Sequence, residues 1–109
     1  MITWASIYEH PSTDPVADRV VMERAGQRTL LVPVPAASDA VEVARLLVDE
    51  GVTLIELCGG FTLHDASRVM EAVGDRVPVG HVTFAADAAP GVAAYAAAFQ
   101  SQIEGEPNA

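Results

Sequence analysis

Between residues 39 and 84 the chain alternates helical and strand periodicity, which confines it to an α/β fold. Asp39 and Glu42 have capping-box spacing, Val41, Ala44, Leu47 and Val48 recur at helical intervals, and Gly51 supplies a stop. This predicts a helix over about 39–50. Thr53 to Cys58 then forms an apolar run between Gly51 and Gly59, the pattern of a strand covered on both faces. Thr62 and Asp65 repeat the capping spacing, Leu63, Ala66, Val69, Met70 and Val73 form a second stripe, and Gly74 ends it. Val77 to Phe84 reads as another strand, with Pro78 near its start, where a missing donor is tolerated. Pro90 and Gly91 precede a third, alanine-rich amphipathic helix carrying Val92, Tyr95, Phe99 and Ile103. A polar, frayed tail is expected from about Glu104.

The first third is less constrained. A strand over about 2–9 places Ile2, Trp4, Ser6 and Tyr8 on one face. After it, Asp14, Pro15 and Gly26 have the positions of an N-cap, a first helical residue and a stop. Against one long helix, Val20-Val21-Met22 and Thr29-Leu30-Leu31-Val32 flank the turn former Ala25-Gly26-Gln27, which suits a hairpin after a single helical turn. The hairpin is preferred, and the helix stays open as the alternative. Either way the expectation is one α/β domain over 1–109: a single-layer sheet of about four to five strands, helices mainly on one face, and a β-α-β-α-β core resembling a barrel fragment.

Charge bounds the partners. With 15 acidic residues, six basic ones and a net charge of −9, the chain has no basic stripe for nucleic acid or anionic lipid, so neither is expected as a partner. No apolar run approaches the roughly 20 residues of a spanning helix, and Met1-Ile2-Thr3-Trp4 lacks a basic leader. The lone Cys58 permits no internal disulfide, which points to a reducing cytoplasm. All six basic residues are arginine, so a Schiff-base or P-loop lysine is excluded, and no G-x-G-x-x-G fingerprint is present. No histidine pair has ligand spacing, so neither a metal nor another cofactor is expected.

The stretches Ala40-Val41-Glu42-Val43-Ala44, Glu50-Gly51-Val52, Leu54-Ile55-Glu56-Leu57-Cys58-Gly59-Gly60-Phe61, Glu71-Ala72-Val73-Gly74 and Val77-Pro78-Val79-Gly80 resemble a family of bacterial proteins of about a hundred residues whose function is unassigned. The resemblance spans about residues 30 to 84, with Ile-Glu-Leu-Cys-Gly-Gly-Phe as its most specific core. It implies a compact α/β domain and no particular activity. More loosely, the run of elements looks like a piece of the barrel aldolases of keto-sugar acids. The absent lysine limits that likeness to topology.

Candidate site residues follow from the strand at 53–58. Glu56 is a carboxylate in an otherwise apolar strand, and alternation puts it with Leu54 and Cys58 on one face and Ile55 with Leu57 on the other. If Val82 and Phe84 join Ile55 and Leu57 beneath the helices, then Val79, His81 and Thr83 share the open face with Glu56. Glu56 and His81 then lie within hydrogen-bond reach as a base and acid pair. Trp4 and Tyr8 supply an apolar wall, with Cys58, Gly59, Gly60 and Thr83 completing a substrate-binding surface. Against these roles, Glu56 would be a structural acid paired with an arginine, His81 a satisfied core residue, Cys58 a small buried hydrophobe, and Gly59-Gly60 a tight turn. Two functions follow. One is a small-molecule enzyme of dehydratase, isomerase or cyclase type; the other is a non-catalytic oligomerisation or partner-binding module. Both come with a homo-oligomer, most simply a dimer, because helices on one side leave the other side of the sheet bare.

Overall fold

The structure, a computed structural model, describes residues 1–105. Strand β1 (Ile2–Glu9) is the centre of a five-stranded sheet ordered β2-β3-β1-β4-β5, with β2 at Val20–Arg24, β3 at Gln27–Val34, β4 at Ile55–Leu57 and β5 at Val79–His81. β1 pairs in parallel with both β3 and β4, β4 pairs in parallel with β5, and β2 pairs antiparallel with β3. The hairpin is therefore the fold of residues 20–34. Ala25 and Gly26 turn it with φ of 55° and 79°, and the preceding Asp14–Asp18 segment is one helical turn closed by the Asp18 amide donating to the Asp14 carbonyl.

Helix α1 (Ala40–Asp49) carries the chain over β1 to β4, and α2 (Leu63–Val73) carries it on to β5. Two right-handed crossovers in one direction put both helices on one face, where they meet each other. Ala40, Val43, Ala44, Leu47 and Val48 of α1 and Ala66, Val69 and Val73 of α2 pack onto Ala5, Ile7, Leu30, Val32, Val34, Ile55 and Leu57. Leu63 and Met70, placed on the apolar stripe by spacing, stay exposed at its margin.

The helix boundaries follow their caps with one difference. Thr62 and Asp65 form the expected capping box of α2: the Thr62 Oγ1 accepts from the Asp65 amide at 3.1 Å, and Asp65 Oδ2 accepts from the Thr62 amide at 3.2 Å. Asp39 instead works one turn early. Its carboxylate accepts from the Ala36 amide at 3.2 Å and opens a 3₁₀ turn over Ala37–Asp39 that leads into α1, while Glu42 pairs with Arg45. Gly51 stops α1 at φ 101°, a value that favours glycine.

β4 and β5 are shorter than the expected strands over 53–58 and 77–84. The last helix, α3 (Ala89–Glu104), departs further from expectation: it buries no residue at all. Of the amphipathic stripe read from Val92, Tyr95, Phe99 and Ile103, the first three are exposed and Ile103 is only half-buried. A radius of gyration of 14.7 Å, against about 13 Å for a compact chain of this length, is consistent with a helix that stands away from the core. The expected fraying from Glu104 lies, beyond Gly105, outside the described residues.

Candidate functional site

Register decides which side chains can meet. Along β1, Ala5 and Ile7 turn to the helices, which leaves Ile2, Trp4, Ser6 and Tyr8 together on the open face as expected. Ser6 pairs with Leu31 on one side and Glu56 on the other, and Glu56 pairs with Gly80. Glu56 is thus half-buried on the open face, in a row with Ser6 and Leu31. No hydrogen bond or ion pair of its carboxylate is found among the described residues.

His81 is on the other side. It pairs with Leu57, and Val79 pairs with Ile55, so both face the helices. The expected Glu56–His81 couple is therefore not formed. The imidazole Nε2 sits 2.9 Å from the Phe61 carbonyl, which can only accept, so Nε2 carries the proton and ties β5 to the loop leading into α2. The assignment failed by one position: Val82 and Phe84, expected beneath the helices with Ile55 and Leu57, are exposed, and a slip of one residue moves every side chain to the opposite face. Thr83 lies exposed beyond β5, outside both the strand and the cleft described next.

A different set converges at the carboxyl ends of the strands. After β1 the chain leaves toward β2, and after β4 it leaves toward α2, so connections diverge from the boundary between these neighbours. Such a divergence opens a crevice where α/β sheets characteristically take ligands. Here a cleft of ≈ 970 Å³ occupies that position, with Glu9 at the end of β1 and Cys58, Gly59 and Gly60 at the end of β4. Phe84 and the α3 residues Val92, Tyr95 and Phe99 form its other wall. A second hollow, of ≈ 230 Å³, is a polar dip between α1 and α2 lined by Arg45, Arg68 and Glu71, on the helix side of the sheet.

Of the two glycines, Gly59 permits a close approach. A Cβ on Gly59 would stand 2.7 Å from Cε2 of Phe84 and 3.3 Å from the Val82 carbonyl oxygen. Glycine thus lets the aromatic ring lie against the β4 loop. Glu9, which sequence reasoning passed over as a strand-end residue, has its Oε2 accepting from the Ala37 amide at 2.8 Å, which fixes the carboxylate at the cleft rim and satisfies a free donor at the start of the α1 segment. The rest of the lining is apolar or neutral apart from Asp87, with no arginine, so the cleft suits a neutral or cationic molecule with an apolar or aromatic body.

Of the expected binding residues, Cys58, Gly59 and Gly60 line this cleft, whereas Trp4 and Tyr8 remain on the open sheet face with Glu56. Phe84 was missed because alternation put it beneath the helices, and Tyr95 and Phe99 because spacing marked them only as the stripe of an amphipathic helix. The sequence signal that could have separated them is charge: Ala88 to Ile103 carries no charged residue, the longest such stretch in the chain. Among the described residues no group of three or more His, Cys, Asp or Glu side chains is placed to hold a metal, and no helix is long and apolar enough to cross a membrane.

No curated protein and no solved structure matches the chain. A family model described as a family of unknown function (DUF6506) matches residues 2–97, which include every element from β1 through the first half of α3 and all residues of the cleft up to Ala96. The chain therefore belongs to this family of unknown function.

Proposed function

We propose that this protein binds a small organic molecule, neutral or cationic with an apolar or aromatic body, in the cleft between the β4 loop and α3. One observation carries the reading: the cleft stands at the divergence of β1 and β4, floored by Cys58-Gly59-Gly60 and walled by aromatic side chains. A proton-transfer activity of lyase, isomerase or cyclase type would use Glu9 or Asp87, the two carboxylates that line the cleft, because Glu56 and His81 lie on opposite faces of the sheet. The working form on this reading is a cytoplasmic homodimer. The second reading, a non-catalytic oligomerisation or partner-binding module, is favoured by the absence of any buried residue on α3.

Fluorescence titration with a neutral naphthylamine dye tests the cleft. Wild-type protein is expected to enhance the dye's emission saturably, and Gly59→Val to weaken binding by tenfold or more by forcing Phe84 out of its place. No enhancement with wild type, or equal affinity in both proteins, refutes the reading.

A further inference from the structure

We infer that a second copy of this chain packs across the mouth of the cleft through α3, so that the ligand chamber is completed only in the dimer. The inference rests on the cleft as the binding site and adds what closes it.

From Ala89 to Phe99, α3 is apolar around its whole circumference, before Gln100, Ser101 and Gln102. Val92, Tyr95, Ala96 and Phe99 turn toward the cleft, while Ala93, Ala94, Ala97 and Ala98 lie on its far side. A helix surface hydrophobic all round belongs in an interior. Yet Tyr95 is 74 % exposed and Phe84 61 %, with Val92, Phe99 and Val82 each at 38 %.

Size and charge both name the occupant. These five side chains alone expose roughly 500 Å², more than half of the roughly 800 Å² that each partner contributes to a standard stable interface. The chain as a whole carries −9, so two copies repel across most of their surfaces. The stretch Ala88 to Ile103, with no charge, is where that repulsion is weakest. A two-fold interface must place a patch against itself, which an uncharged apolar helix permits and an acidic surface does not.

Light scattering and sedimentation on the full-length protein test this without any ligand. Wild type is expected at twice the 11.4 kDa chain mass at micromolar concentration, and Tyr95→Asp at the monomer mass with its far-UV spectrum retained, because α3 contributes nothing to the buried core. Should Tyr95→Asp disturb folding, Tyr95→Ala gives the same reading without a new charge, with dimer dissociation strengthened at least tenfold. A monomeric wild type, or a dimer that neither substitution weakens, overturns the inference. The two readings separate cleanly: a dimer that binds no dye refutes the cleft, whereas a monomer that binds dye refutes the shared closure.

Discussion

Replacing Glu56 by glutamine distinguishes an isolated carboxylate from an ion-paired one, and the arginine positions fix the expected size of the effect. Four of the six arginines already pair with other acids: Arg19 with Glu50, Arg28 with Glu23, Arg45 with Glu42 and Arg76 with Asp49. Arg68 belongs to α2, on the covered side of the sheet, and Arg24 ends β2, three strands from β4 and so about 14 Å away. Glutamine keeps the shape of the side chain and leaves no buried cation behind. The stability change is therefore expected to stay within about 0.5 kcal/mol, a shift of at most about 4 °C in Tm. An ion pair would behave differently, since stranding its partner costs about 3 to 5 kcal/mol and lowers Tm by well over 10 °C. His81→Leu in the same melting series provides the internal contrast. It removes the donor that meets the Phe61 carbonyl at 2.9 Å and should cost about 1 to 2 kcal/mol. A Tm loss above 10 °C for Glu56→Gln, or a larger loss than for His81→Leu, would refute the geometry of this sheet face.

Two further effects are accessible to the same melts. Thr62→Ala removes the acceptor for the Asp65 amide and should destabilise by about 1 kcal/mol, with Thr62→Ser largely restoring the wild-type Tm. Asp14 is held below the usual 3.8 chiefly by the Ala17 amide, then by the Val16 amide, with a smaller contribution from Arg19. A lowered folded pKa gives stability that is complete above the unfolded value and is lost as pH falls through the folded one. Asp14→Ala should therefore lower Tm at neutral pH, with the gap to wild type narrowing below pH 3.8; a gap independent of pH would contradict this.

The local parts of the fold were legible because their signals are local. Thr62 with Asp65 and the glycine at 51 fix helix ends through bonds spanning three or four residues, and the Ala25-Gly26 turn fixes the register of β2 on β3 in the same way. Trp4 and Tyr8 were placed on the correct face because β1 is long and regular enough for alternation to be read. His81 failed because β5 holds only three residues beside Pro78, and nothing within so short a run says which parity faces the helices. That parity is set by pairing with β4, a contact across α2 that no window of sequence contains. The consequence for function is large. One residue of register turned an imagined acid–base couple into a free carboxylate on one side and a structural histidine on the other.

The cleft was hidden for the opposite reason. Its two halves were read correctly as elements but kept apart: Cys58-Gly59-Gly60 went to a site, Tyr95 and Phe99 to the stripe of an amphipathic helix. Periodicity reports that a helix has an apolar stripe, not what the stripe meets. On α1 and α2 the two coincide, because charged residues such as Glu42, Arg45, Arg68 and Glu71 mark the solvent side and leave one face for the sheet. α3 lacks any such marker between Ala88 and Ile103, and a helix without a polar side has not declared which neighbours are its own. Its sequence asks for burial on more sides than one chain of this length provides. That excess of apolar surface connects the two readings of the protein: the aromatic wall toward Gly59 can enclose a ligand, and the exposed, uncharged edge of that same wall can take a second copy.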